Sequence, residues 1–390
     1  MIPFSFQNDF QNRLDHLEKA GRYRTFRVLD SGSGPIVDLD GRPRLLFASN
    51  DYLGLAGHPR MIRDTAAAVE KFGTGMGASR LVAGNHRLHE EVERGLAELK
   101  KTAGALLFSS GYLTHIGVVP TLVGPGDLIF SDSLNHASLV DACRLSRAEV
   151  VVYPHGDTDF MATRLGRKPP PGGSRILIVT DGVFSMDGDL APLPEILALA
   201  GQYEALVLVD DAHATGVLGP YGEGSTAHWG IDPESLLTMG TFSKALGALG
   251  GFVAGPEILM AYLRNQARTL FYSTALPPAV CASVLRALHL LREEPGLLAG
   301  LRRNCAYFSN GLRALGLPLP PAGIPIFPII VGTEAKALHL SRALWDRDIC
   351  IPAIRPPTVP LNQCRLRISL SAGHTEEQMD TLLAALRELL

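Results

Sequence analysis

The chain has 390 residues, 46% apolar and 19% charged, with a net charge of −3 at pH 7. Length suggests roughly two to three domains of ~150 residues, and this balance of apolar and charged side chains excludes a disordered chain. The slight acidic excess argues against nucleic acid as a partner, and no apolar run reaches the roughly 18–20 residues that span a membrane. The five cysteines (Cys143, Cys281, Cys305, Cys350 and Cys364) are scattered and form no C-x-x-C pair. Reduced, mostly buried thiols are expected, with no disulfide framework and no zinc knuckle. The N-terminus, MIPFSFQNDFQNRLDHLEK, carries polar residues where a secretory leader would be apolar, so a cytoplasmic protein is expected.

In chain order, 5–20 reads as an amphipathic helix. Residues 36–39 and 44–48 read as a hairpin turned by Asp40-Gly41. Helical periodicity covers 60–72 and 86–100. Short apolar runs follow at 105–108, 128–130, 149–153, 175–180, 205–209, 236–239 and 251–254. Most are continuous rather than alternating, as in strands buried on both faces of a parallel sheet. Helical patterns at 112–123, 136–146 and 192–203 lie between them, giving the β-α alternation of an α/β domain. The KPPPGG stretch at 168–173 reads as a surface loop. Past about residue 290 the texture changes. Helices over 277–315, a strand at 326–331, a helix near 334–347, strands near 349–354 and 365–370, and a helix at 375–389 predict a smaller α+β domain. The expected division is 1–49 as an N-terminal helix and hairpin, 50–285 as the large domain and 286–390 as the small one.

Open parallel sheets bind ligands beyond the carboxyl ends of their strands. Those ends carry Ser109-Ser110-Gly111-Tyr112, Asn135-His136, Thr180-Asp181 with Ser185 following, Asp210-Asp211-Ala212-His213, and Thr241-Phe242-Ser243-Lys244. Acids, hydroxyls, imidazoles and one lysine are thus expected on one rim. Lys244 sits among Phe242 and the run ALGALGG, with no carboxylate adjacent in sequence. Desolvation there would disfavour its ammonium form, which suits Schiff-base chemistry. Other motifs are absent: there is no P-loop and no G-x-S-x-G elbow. Gly73-Thr74-Gly75-Met76-Gly77 follows a helical pattern, not a strand, so a dinucleotide site is not expected. His86-Arg87-Leu88-His89-Glu90-Glu91 fits neither zinc-protease pattern and reads as the exposed start of a helix; no metal is expected.

The stretches SNDYLGL (49–55), GASRLVAGN (77–85), SSGY, NHASL, TDGVFSMDGDLAPL, VDDAHATGVLG, TFSKALGALGG, YSTALPP, IRPPTVP and LRISLSAGH resemble the α-oxoamine synthase family of fold-type I pyridoxal-phosphate enzymes, over essentially the whole chain. The resemblance implies an α/β fold with a large, mostly parallel sheet and a smaller C-terminal α+β domain. It implies pyridoxal 5'-phosphate as cofactor. The reaction it implies is decarboxylative condensation of L-alanine with a pimeloyl thioester, carried on coenzyme A or a carrier protein, in biotin biosynthesis. By resemblance, Lys244 holds the cofactor and then acts as base, and Asp210 faces the ring nitrogen. His213 and Ser185 serve the phenolic oxygen, and His136 stacks on the ring. Gly111, Tyr112 and Thr241 hold the phosphate. Ser273 or Thr274 of a second subunit would reach the same phosphate, implying a homodimer with shared sites. Arg367 and Asn50 would hold the amino-acid carboxylate, and Arg24 and Thr358 would contact substrate. A glycine-using relative and a catalytically silent domain of the same fold are the alternative readings, and the intact Lys244, Asp210, His213 and His136 set argues against the second.

Overall fold

A computed structural model describes residues 2–167 and 173–390. The expected loop at 168–173 therefore lies, but for Gly173, outside the described residues.

The N-terminal hairpin is β1 (Ile36–Asp38) and β2 (Pro43–Leu46). The main sheet follows: β3 (Gly104–Phe108), β4 (Leu128–Asp132), β5 (Glu149–Tyr153), β6 (Ile176–Asp181), β7 (Leu206–Asp210), β8 (Leu237–Thr241) and β9 (Gly251–Gly255). Their order is β3-β9-β8-β7-β6-β4-β5. Neighbours from β8 to β5 pair in parallel, whereas β9 runs antiparallel to both β3 and β8. Both faces are covered, as the continuous apolar runs predict. Within β6, Leu177 and Val179 join a core with the helices Gly111–Leu122 and Ala137–Ser146, while Ile176 and Ile178 join a separate core with the helix Leu193–Gln202. Successive residues of a strand point to opposite faces, so each apolar run feeds two cores. β5 departs from the expectation. It is the sheet edge, and Val150 and Val152 are exposed.

The later strands are β10 (Ile326–Gly332), β11 (Ile349–Cys350), β12 (Ala353–Ile354) and β13 (Cys364–Ser369). They form a sheet of order β10-β13-β12, and β11 extends the hairpin as β1-β2-β11. The N-terminal hairpin thus shares a sheet with the C-terminal part of the chain. The expected division at 285/286 falls inside the helix Pro278–Glu293, which packs on the helices Pro59–Phe72 and Arg87–Lys100 of the larger part.

Two local expectations change. His89 is not exposed. It is fully buried, its Nδ1 accepts the His86 N–H at 2.9 Å, and its Nε2 lies 2.9 Å from the Leu276 carbonyl. Among the described residues no cluster of His, Cys, Asp or Glu is arranged to hold a metal. Residues 80–84, which carried no predicted element, form one turn of π-helix. All five cysteines are free. Among the described residues, no helix is long and apolar enough to cross a membrane.

Candidate active site

The carboxyl ends of β6, β7 and β8 open into a cavity of about 220 Å³ lined by Gly111, His136, Asp181, Asp210, His213 and Lys244, with Tyr112, Thr241 and other residues completing it. The sheet register explains the meeting. Asp181 and Asp210 are paired residues at the ends of adjacent strands, and Thr241 ends the next one. Lys244 follows in the turn that leads to β9. Burial pushes its ammonium below the usual lysine range, against the opposing pull of Asp210 and Asp181.

Asp210 is buried. Its Oδ1 accepts the Ala212 N–H at 2.8 Å. Its Oδ2 lies 3.6 Å from His115 Nε2, an atom with no hydrogen-bond partner. His115 is a site residue that sequence reasoning missed. It lies inside the helix Gly111–Leu122, where nothing in the local sequence marks it. Burial lowers its pKa to about 4. Its Nδ1 lies 2.9 Å from Ser138 Oγ, and the same hydroxyl lies 2.7 Å from His136 Nδ1. Asp181 is the second carboxylate. Burial and the Asp210 charge raise its pKa well above the usual carboxylate range.

His136 caps the helix Ala137–Ser146, and its backbone N–H donates to Asp181 Oδ1 at 3.3 Å. It lines both the small cavity and an adjoining groove of about 720 Å³. Arg24, Ser185, Thr358 and Pro360 are among the groove walls. Arg24 and Thr358 come together because the segment ahead of β1 docks on the loop after β12. Arg355 donates to the Gly21 carbonyl at 2.7 Å, and Arg22 pairs with Glu334. Ser185 lies on the groove, not in the small cavity with His213. Its carbonyl accepts from Arg367 Nε.

Arg367, on β13, is only 6% exposed. Its other donors reach Asn50 Oδ1 at 3.2 Å, Ser369 Oγ at 2.8 Å and the Tyr52 hydroxyl at 3.4 Å. Every one of these acceptors is uncharged. Arg365, two residues earlier, is paired with Asp187. A buried guanidinium without an acid is an incomplete site, because a buried charge is ordinarily paired.

Ser273 and Thr274 lie elsewhere in this chain. They border a surface depression beside Leu81, Val82 and Tyr272, all exposed. The single chain does not bring them to Lys244.

A large sheet with one antiparallel strand, a lysine in the turn before that strand and a smaller C-terminal sheet together define a fold-type I pyridoxal-phosphate transferase. The chain belongs to the aminotransferase class I and II family, which matches residues 42–386, and within it to the α-oxoamine synthase branch. It is 45% identical over 380 residues to the 8-amino-7-oxononanoate synthase of Thermoanaerobacter pseudethanolicus, covering 97% of this chain and 96% of that one. It is 46% identical over 378 residues to the protein of the same name from Geobacter sulfurreducens, covering 96% of each. Among solved structures, a serine palmitoyltransferase from S. paucimobilis with a bound PLP–myriocin aldimine aligns with a TM-score of 0.92 at 31% identity, covering 100% of this chain and 98% of that one. An 8-amino-7-oxononanoate synthase from Francisella tularensis aligns with a TM-score of 0.75 at 28% identity, covering 88% of this chain and 97% of that one.

The cofactor of this family is pyridoxal 5'-phosphate, and the residues present fit it. The cavity offers an amine of lowered pKa and a buried carboxylate, Asp210, whose Oδ2 comes no nearer than 3.6 Å to His115 Nε2. The anion end is the N-terminus of the helix Gly111–Leu122, where Ser110 Oγ takes the Leu113 N–H and glycine lets the chain pack closely. A Cβ on Gly111 would come 3.0 Å from Met239 Cε, and one on Gly251 would come 2.7 Å from the Gly111 nitrogen. Bare N–H groups at a helix start are suited to a phosphate dianion.

Proposed function

We propose that this protein condenses L-alanine with a pimeloyl thioester to give 8-amino-7-oxononanoate, releasing CO2 and the free thiol of coenzyme A or a carrier protein. The observation that carries this reading is the near full-length likeness, at 45–46% identity, to proteins named for that product. The geometry supports it, since an acid-free buried guanidinium is linked to the cavity through Tyr52 and His213 and a groove of about 720 Å³ adjoins the cavity at His136.

Lys244 would hold the cofactor, and its Nζ, once free, would accept the Cα proton of alanine. Burial lowers the pKa of that amine and so favours the neutral form that a base needs. When bound, the cofactor supplies an electron sink for the carbanion left at Cα. Asp210 keeps a proton on the ring nitrogen, and His115 steadies the Asp210 carboxylate. Gly111, Tyr112 and Thr241 take the phosphate, with Ser273 or Thr274 of a second subunit completing it. His213 donates to the phenolic oxygen, and Ser185 holds Arg367 through its carbonyl. Arg367, with Asn50, grips the alanine carboxylate in a two-pronged contact until it leaves as CO2. His136, which lines both cavity and groove, would stack on the ring. Arg24 and Thr358 line the acyl chain's path. A homodimer is part of this reading. The exposed Leu81, Val82 and Tyr272, and the exposed Phe4, Phe6 and Phe10 on the first helix (Phe4–Lys19), support a second copy covering them.

The backbone superposes more closely on serine palmitoyltransferase than on the Francisella synthase, which favours a serine-using enzyme as the second reading. Members of one family share a fold, so backbone fit weighs less than 45% against 31% identity. The test is purified, cofactor-loaded protein offered L-alanine, glycine or L-serine with pimeloyl, acetyl or palmitoyl thioesters. Product mass and CO2 release are measured. Fastest turnover with alanine and a pimeloyl donor is expected; faster turnover with serine and palmitoyl, or glycine and acetyl, overturns the reading.

A further inference from the structure

Tyr52 is fully buried, and no role given so far uses its hydroxyl. The oxygen lies 2.6 Å from His213 Nδ1, 3.2 Å from Asn50 Oδ1 and 3.4 Å from Arg367 Nη2. Tyr52 is the one hydrogen-bond partner of the His213 ring among the described residues. Arginine can only donate, so the Tyr52 oxygen accepts from Arg367. The single phenolic proton then has two acceptors to choose from. His213 Nδ1, at 2.6 Å, is the nearer and the more basic acceptor; Asn50 Oδ1, which also accepts from Arg367 Nη1, stands farther off at 3.2 Å. Burial raises the Tyr52 pKa, which keeps the hydroxyl protonated. Burial, with the charges of Lys244 and Arg367 and the nearby His136, drives the His213 pKa down and keeps its ring neutral. Asp210 and Asp181 are the carboxylates that line the same cavity. A neutral imidazole that accepts at Nδ1 carries its proton on Nε2.

We propose that Tyr52 is a positioning residue that fixes His213 as its Nε2–H tautomer and couples it to Arg367 through a directed chain, Arg367 N–H to the Tyr52 oxygen and Tyr52 O–H to His213 Nδ1. The inference rests on the reading of the cavity as the cofactor site and of Arg367 as the carboxylate grip. Hydrogen bonds in a chain polarise one another. A carboxylate that draws the Nη2 proton away weakens the first link, and the change reaches His213. Occupation of the amino-substrate site is thereby felt at the phenolic oxygen of the cofactor, although Tyr52 touches neither group.

The test uses the full-length, cofactor-loaded protein and Tyr52→Phe, which keeps the ring and deletes the hydroxyl. Labelled-histidine nitrogen-15 NMR reads the tautomer, and the visible absorption band is followed against pH. Wild type should show His213 protonated on Nε2, with Nδ1 shifted by an incoming hydrogen bond. Tyr52→Phe should retain the band, lose the Nδ1 shift, and move the band's midpoint upward by about one pH unit, a tenfold change equivalent to one weakened hydrogen bond to the phenolate. Propionate, a carboxylate with no amine to react, should shift the His213 resonances in wild type and leave them still in the variant. A wild-type His213 protonated on Nδ1 overturns the proposal, even if the variant fails to fold. So do unaltered midpoints and resonances in a folded variant. A wild-type protein with no visible band removes the cofactor reading beneath it, a failure distinct from that of Tyr52.

Discussion

Replacing Arg367 by alanine tests the carboxylate grip directly. The guanidinium is 6% exposed and its four acceptors (Ser185 O, Asn50 Oδ1, Ser369 Oγ and Tyr52 OH) carry no charge. In the substrate complex its free Nη2 N–H, and the one that leaves Tyr52, would make two charge-assisted bonds to a carboxylate. At about 1.5–3 kcal/mol each, their loss costs about 3–6 kcal/mol of binding. Water entering the vacated space recovers part of this, so the lower end applies and the L-alanine dissociation constant should rise about a hundredfold. Arg367→Lys keeps the charge but not the planar fork, and should weaken binding about tenfold. The assay is titration of the visible band with L-alanine, with a thermal melt of each variant to establish that it is folded. An alanine affinity in folded Arg367→Ala within about twofold of wild type, well below the loss expected for one charge-assisted bond, would refute the assignment.

Lys244→Ala should leave no borohydride-stable adduct and no turnover, measured by peptide mass spectrometry and product formation. Asp210→Asn should lower turnover by about a hundredfold or more while the fold persists, since a neutral amide cannot hold the ring-nitrogen proton; turnover near wild type would remove that role. His155 is clamped between Asp132 at 3.0 Å and Asp189 at 2.6 Å, and these carboxylates raise its pKa to about 10. Its folded pKa exceeds the unfolded value, so its stabilisation is complete below about pH 6.5 and is lost as the pH rises towards 10. After allowance for its partial exposure the effect is about 2 kcal/mol, and His155→Gln should flatten the fall of urea-unfolding stability over that interval. Phe308→Ala removes a fully buried ring packed edge-on against Phe327, 5.1 Å between centroids, and should cost about 3–5 kcal/mol by denaturant unfolding.

Much of the frame is legible in the sequence because burial on both faces leaves a direct mark. The continuous runs that become β3, β4, β6, β7 and β8 could hardly be anything else between amphipathic helices, and strand ends then point to Asp210, His213, His136 and Lys244. Strand direction leaves no such mark. GFVAG at 251–255 reads like its parallel neighbours, yet β9 runs the opposite way because the short turn after Lys244 permits only a reversal. β5 is equally apolar but lies at an edge, a matter of neighbours and not of composition. His115 and Tyr52 were hidden for another reason. Each works through a contact made across the fold, from inside a helix or just after the hairpin, and a lone imidazole or phenol in such a place is indistinguishable from ordinary core. His89 is the converse case: charged neighbours in sequence suggested solvent, but the ring turns inward to the Leu276 carbonyl.

Arg365 and Arg367 occupy alternate positions of β13, so both side chains leave the strand on the same side. One reaches the Met186 carbonyl and Asp187, the other the Ser185 carbonyl. Three consecutive residues of one connection are thereby stitched to a strand of the other sheet. A slip of β13 by a single position would swing both cations to the opposite surface at once. The irregularity between Ile330 and Gly332, where β10 pairs with β13, therefore has a bearing beyond local geometry. It helps set the alignment on which the proposed grip for an amino-acid carboxylate depends.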